Sequence, residues 1–365
     1  MKKIKCLIFF GSMVIIALMA SANRCQCKKT EHAPGKTGFA LAIGLNEVDP
    51  GHYSGWSGKL SGCEPDAEDM KAIALSQGFT VETLLTKKAT RSNLRDKLEC
   101  LSEKMKSGDL LVVSYSGHGG QVPDMNGDEE DDGLDETWCL YDGEFLDDEL
   151  FELWTKFQPG VRILAFSDSC HSGTVLRMIK SDFEKKDPQR IDTIEKEWQQ
   201  FKKQPKLDRA RIASILEANK EMRMRMKPIS RDMADKAVSV EDVNTKLVPR
   251  SVSPLILAST YQNHKSFYDK IGQAAPKEDP TLLKASLILI SGCEDAQTSA
   301  DIGFNGLFTW MLKQVWQNGS FIGDHNKFHE DIKLKVLSEN GDQSPNLFTL
   351  GIIDEFIKQR PYDIE

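Results

Sequence analysis

Two stretches decide the fold: Leu110-Leu111-Val112-Val113-Ser114-Tyr115-Ser116-Gly117-His118-Gly119-Gly120 and Val161-Arg162-Ile163-Leu164-Ala165-Phe166-Ser167-Asp168-Ser169-Cys170-His171-Ser172-Gly173. Each is an apolar run that ends in a turn of small and polar residues. Unbroken rather than alternating apolarity predicts strands buried on both faces, as in a parallel sheet covered by helices. Upstream, Phe39-Ala40-Leu41-Ala42-Ile43-Gly44 has the same character. Between these runs, Ala67, Met70, Ile73 and Ala74 recur at 3–4 spacing before Gly78, which predicts a helix over residues 65–77. A strand over 79–85, a helix over 90–106 and a helix over 147–157 follow from the same reading. The βαβα rhythm predicts an α/β fold with a mostly parallel central sheet flanked by helices. Further on, strands are expected at 254–260 and 285–291, and helices at 305–316 and 327–337.

Two segments stand outside this rhythm. Lys2, Lys3 and Lys5 precede an apolar run from residue 6 to residue 19, and Ala20-Ser21-Ala22 supplies a small-x-small cleavage pattern. Residues 1–22 therefore read as a signal peptide, with 23–37 as a linker, and the protein is expected to be secreted or periplasmic with no membrane attachment after signal removal. A lipid anchor on Cys25 is the lesser alternative, because Arg24 does not suit that processing. Residues 180–250 form a charged, helix-like insertion punctuated by Pro205, Pro228 and Pro249. Residues 38–179 and 251–365 then make up one domain, a larger part carrying the chemistry and a smaller part completing it.

Composition narrows the function classes. The 365 residues carry 47 Lys+Arg against 55 Asp+Glu, a net charge of −8, which becomes −11 once the three lysines of the leader are gone. That balance argues against a nucleic-acid partner, whose affinity would come from neutralised phosphates. Eight cysteines are too dispersed for a disulfide scaffold or a thiolate metal site.

The turns after the two deciding strands hold the chemistry. Sites in open α/β sheets form outside the carboxyl ends of the strands. There the sequence delivers His118 from one strand and Cys170 from another, 52 residues later. Alone, a cysteine after an apolar strand is a small buried hydrophobe, and a histidine is a satisfied polar group. Together, in matching Gly/Ser turns, they suit a thiolate nucleophile with an imidazole general acid/base. Backbone N–H groups at Gly119 and Cys170 would hold the developing oxyanion. His171, an immediate neighbour of Cys170, is the weaker candidate.

Tyr115-Ser116-Gly117-His118-Gly119 and Asp168-Ser169-Cys170-His171-Ser172-Gly173 resemble the two signature motifs of metacaspases, within the caspase-like cysteine peptidases. Gly62-Cys63-Glu64-Pro65-Asp66-Ala67, residues 128–135 and residues 291–299 extend the likeness. The resemblance implies a caspase-like three-layer sandwich and an endopeptidase cutting after Arg or Lys. The protein is expected to act as a monomer, with no cofactor required for the chemistry. It implies that Asp66 and Asp168 line the primary specificity pocket, with Cys63 and Ser116 beside them. Two carboxylates in a pocket attract a guanidinium on physical grounds as well. A first-turn Asp66 that merely complements its helix dipole is the plainer alternative.

Acidic residues crowd 124–136, which is either a solvated loop or a calcium site built from hard oxygen ligands. By resemblance, Asp135, Asp147 and Asp148 fit the family's calcium ligands, but Arg177 stands where calcium-dependent members carry a further Asp. Self-processing within the insertion, which includes Arg209, Arg211, Arg223, Arg225, Lys227 and Arg231, is a further implication of the resemblance. A rival reading keeps the fold without catalysis, as a binding or adaptor module for basic peptides.

Overall fold

The computed structural model describes residues 36–128, 133–169, 248–294 and 297–365. Strand β1 (Gly38–Gly44) is followed by helix α1 (Cys63–Ser76), β2 (Thr80–Leu85), α2 (Arg91–Lys104) and β3 (Leu110–Ser116). Strands β4 (Gly119–Pro123), β5 (Leu134–Leu140) and β6 (Gly143–Leu146) form a separate antiparallel meander, and α3 (Asp147–Thr155) leads into β7 (Arg162–Asp168). After the undescribed segment come β8 (Val248–Pro249), α4 (Pro254–Asn263), α5 (Lys265–Ala274), β9 (Ser286–Ser291) and β10 (Ala300–Asp301). Helices α6 (Leu307–Trp316) and α7 (His325–Glu339) and strand β11 (Asn346–Leu350) close the chain.

Among the described residues, six strands make the central sheet in the order β11-β9-β7-β3-β1-β2. All neighbours run parallel except β11, which is antiparallel to β9. The apolar strands divide their side chains between two cores, as pleating requires. Ala40, Ala42, Val112, Leu164 and Phe166 pack with Met70 and Ile73 of α1 and Trp310 and Phe328 of α6 and α7. Phe39, Leu41, Ile43, Leu111, Val113, Ile163 and Ala165 face Leu94 and Leu98 of α2 and Leu150 and Trp154 of α3. Helices thus cover both faces, and the expected three-layer α/β sandwich is what the chain forms.

The register sets the position of the site. Gly44 pairs with Ser116 and Ser116 with Asp168, so β1, β3 and β7 end level at the carboxyl edge. At Gly44 a side chain would meet the Cys63 carbonyl at 2.3 Å; glycine lets the start of α1 lie directly on the strand end. The backbone N–H groups of Cys63 and Glu64 are capped from outside by Asn46 Oδ1 at 3.0 and 3.1 Å.

Two expectations need correction. Residues 254–260 are helical, not a strand. Pro254 occupies the first helical turn, where its missing N–H costs nothing, and the buried positions Pro254, Leu257, Thr260 and Tyr261 fall at 3–4 spacing. The Leu-Ile-Leu run inside had suggested a strand, but only one of its faces is covered. The second correction lies at the end of the charged insertion: residues 248–250 are a short strand and a buried arginine, while 180–247 lie outside the described residues. The signal peptide, the linker up to residue 35, the insertion arginines up to Arg231, Arg177, His171 and Cys170 also lie outside them.

Candidate active site

His118 sits in the turn between β3 and β4, 4% exposed. Its carbonyl accepts hydrogen bonds from Tyr115 Oη at 2.7 Å and from the N–H of Cys139 at 3.0 Å, which pins the turn. The imidazole Nε2 lies 2.9 Å from the Gly58 carbonyl oxygen. A carbonyl only accepts, so in the neutral ring the proton is on Nε2 and Nδ1 is the basic nitrogen. Trp56 packs on the ring with centroids 4.7 Å apart and shields it from water.

Asp66 enters from the first turn of α1 and Asp168 from the last residue of β7, and both are buried. The structure brings them together around Arg250, which is fully buried. The guanidinium contacts Asp66 Oδ2 at 2.8 Å, Asp168 Oδ2 at 3.0 Å and Asp301 Oδ2 at 3.6 Å. It also donates to Ser116 Oγ at 2.7 Å and to the Asp168 carbonyl at 3.1 Å. Cys63 lies against Ser116 and Arg250, its thiol pushed well above the ordinary range by burial. The four residues expected in a cation pocket therefore surround one cation.

The second half of the chain supplies the rest of the wall. Asp66 accepts from Asn305 Nδ2 at 2.6 Å and from the N–H of Gly306 at 2.9 Å, besides Ser116 Oγ at 2.8 Å. Asp168 accepts from the N–H and hydroxyl of Thr309 at 3.1 and 2.7 Å, and from Ser299 Oγ. Gly306 has no room for a side chain: a Cβ would sit 2.1 Å from Asp168 Oδ2 and 2.5 Å from the guanidinium. About 10 Å³ remains beside the pocket, room for one water at most.

Burial pushes Asp66 up to about 7 against the pull of Arg250, and the neighbouring Asp168 adds to the rise. Burial alone would weaken the proton affinity of Arg250, but Asp168, Asp66 and Asp301 outweigh it and hold the guanidinium firmly charged.

The main chain of Arg250 is bound as well as its side chain. Its N–H donates to the Ser299 carbonyl at 2.9 Å, and its carbonyl accepts from the N–H of Gly119 at 3.0 Å. Gly119 is the residue expected to hold an oxyanion. Among the described residues, sequence reasoning missed Arg250, Ser299, Asp301, Asn305, Gly306 and Thr309 as pocket residues. Ser299 alone had been singled out, as the end of a motif.

A second acidic group lies in the β4–β5 loop. Asp124, Asp128 and Asp135 bring carboxylate oxygens within 4.8 Å of one another. Asp124 Oδ1 also accepts from the N–H groups of Asn126 and Gly127 at 2.8 and 2.7 Å, and Gly127 takes the positive φ of 78° that this turn needs. Asp148 Oδ2 accepts from Asn126 Nδ2 at 2.8 Å, and Asp147 Oδ2 from the N–H of Glu136 at 3.3 Å. Burial and then Glu136 and Asp135 push Asp147 up; burial and then Asp128 push Asp148 up to about 7. An all-oxygen donor set under mutual repulsion fits calcium and not a thiolate-bound metal.

The model of the caspase domain matches residues 37–357 of this chain. Metacaspase-1 of Schizosaccharomyces pombe is 29% identical over 293 residues, covering 76% of this chain and 58% of that protein. Metacaspase-1 of Emericella nidulans is 39% identical over 153 residues, 38% of this chain and 36% of the relative. The chain thus spans between about a third and three-fifths of these curated relatives. A crystal structure of a Geobacter sulfurreducens protein superposes with a TM-score of 0.67 at 41% identity, covering 90% of this chain and 99% of that one.

Proposed function

Because this chain belongs to the caspase-domain family of cysteine peptidases, we propose that it is a thiol endopeptidase that cuts proteins or peptides after Arg or Lys. The observation that carries this reading is the guanidinium held between Asp66 and Asp168 while the carbonyl of the same residue meets the N–H of Gly119. A substrate arginine needs both contacts at once. Arg is favoured over Lys, because two carboxylates, Ser116 Oγ and a carbonyl together use several donors of a planar fork.

In this mechanism the Cys170 thiolate attacks the carbonyl carbon of the residue seated in the pocket. The Gly119 N–H stabilises the oxygen as it gains charge. His118, oriented by Gly58 and Trp56, gives a proton to the leaving amine and later takes one from the water that hydrolyses the thioester. Calcium is proposed at Asp124, Asp128 and Asp135, with Asp147 and Asp148 beside them. It would neutralise the loop that joins β4 and β5 and take no part in the bond-breaking step. The enzyme is further proposed to act as a monomer outside the cytoplasm.

Paired fluorogenic peptides ending in Arg and in Asp, with calcium and with chelator, test the reading. Turnover of the Arg peptide that is lost in Cys170→Ala is the expected result. Cleavage after Asp would overturn the pocket assignment. Tight binding of Arg peptides without turnover would make the protein a binding module for basic peptides.

A further inference from the structure

We propose that the Arg250–Ser251 bond is this enzyme's first substrate, and that until it is cut Arg250 closes the specificity pocket to other chains. The proposal rests on the peptidase reading above and names a bond that the family resemblance leaves open.

A buried arginine could be a structural ion pair and nothing more. Such a role needs only the side chain. Here the backbone on both sides of the bond is held as a peptidase holds a peptide. Before it, Val248 and Pro249 form β8, which pairs antiparallel with β10, Pro249 opposite Ala300 and Val248 opposite Asp301. A strand added to an exposed strand is a general way to bind an extended peptide. At the bond, the Arg250 N–H is fixed by Ser299 and its carbonyl by Gly119. After it, Ser251 bridges to Gly119 in parallel, with the Val252 N–H donating to the Gly119 carbonyl at 3.3 Å. Val252 is itself fully buried. Side chain, carbonyl and flanking backbone thus share one registration.

Cutting requires no partner beyond water. The thiolate assigned to Cys170 adds to the Arg250 carbonyl carbon, the C–N bond to Ser251 breaks, and the Ser251 nitrogen takes its proton from His118. Water then releases Arg250 as a carboxylate and regenerates the thiol. Before this step the pocket meets an occupant tethered in the same chain, at an effective concentration on the order of millimolar, which a micromolar substrate cannot displace. Afterwards the segment is tethered on one side only: β8 is paired at two positions, and Arg250 keeps its ion pairs but can exchange with the arginine of another chain.

The test uses the full chain with calcium, intact mass, sequencing of new amino termini, and turnover of an Arg peptide. Wild type is expected to yield one piece ending at Arg250 and one starting at Ser251, and Cys170→Ala to stay whole. Ser251→Pro blocks the bond while sparing the ladder, whose hydrogen bonds here use the N–H groups of Gly119 and Val252. It is expected to stay uncut at 250/251 and to turn over the Arg peptide about 10²-fold more slowly than wild type. Arg-peptide turnover by a wild type that is uncut at this bond, or cut only elsewhere, overturns the proposal while the peptidase reading stands. So does a Ser251→Pro variant as active as wild type. Turnover retained by Cys170→Ala, or none in any condition, overturns the peptidase reading and this proposal with it.

Discussion

The pocket and the acidic loop each gather several carboxylates in little space, and they resolve the repulsion differently. In the pocket, Asp66, Asp168 and Asp301 converge on a cation the chain supplies itself, Arg250. In the loop, Asp124, Asp128 and Asp135 converge on one another, with Asn126 and backbone N–H groups as donors. The pocket holds its cation within the fold, whereas for the loop the cation we propose comes from solution. On the proposals above, the first site is vacated in use and the second is filled.

Removing the pocket's cation should cost the most. In a Cys170→Ala background, Arg250→Gln leaves buried carboxylates without their partner, and stability should fall by about 3–5 kcal/mol, read as a drop in Tm. If Tm is unchanged, the pocket does not depend on its arginine. Next in size, Asp66→Asn and Asp168→Asn in processed enzyme should each lower kcat/KM for Arg peptides by about 10²-fold, roughly 3 kcal/mol of lost charge pairing. Equal rates would mean that the guanidinium is recognised elsewhere.

The loop should respond to pH instead. Asp148 is raised to about 7, so between about pH 4 and 7 the folded state keeps a proton that the unfolded chain has lost. Stability without calcium should therefore decline as pH rises through that window. Asp148→Asn should flatten the decline, and calcium should reverse it at pH 8. A pH profile that Asp148→Asn leaves unaltered would remove the loop's side of the comparison. The smallest change is expected at Asp301, 3.6 Å from the guanidinium and already accepting from the N–H of Gly62 at 2.9 Å. Asp301→Asn should cost only a few-fold in kcat/KM.

What the sequence disclosed and what it hid follow from range. β1, β3 and β7 were legible because burial on both faces leaves a local mark, an unbroken apolar run. His118 and Asp168 were legible because each follows such a mark within a few residues; Asp66 follows none and was legible only through the likeness of Gly62 to Ala67 to a family motif. Arg250 carries no local mark: its acidic partners lie 184, 82 and 51 positions away in sequence, and basic residues before it make it look like one more surface charge. The meander of β4, β5 and β6 was hidden by Gly119, Gly120 and Pro123, poor strand formers whose pairing is decided by packing against α4 and the sheet edge. The helix over Pro254–Asn263 was misread because three apolar residues in a row outweighed the proline that starts it.

The parallel ladder between β7 and β9 has one more consequence. Those strands lie on opposite sides of residue 250, and six paired positions, from Arg162 with Ser286 to Ser167 with Ser291, join them. Both hydrophobic cores also draw on residues from before and after that point. A chain opened there would show two bands on a denaturing gel and still migrate as one particle under native conditions. Covalent continuity and structural continuity are separate properties in this molecule, and losing the first leaves the second to hold the halves as a single working body.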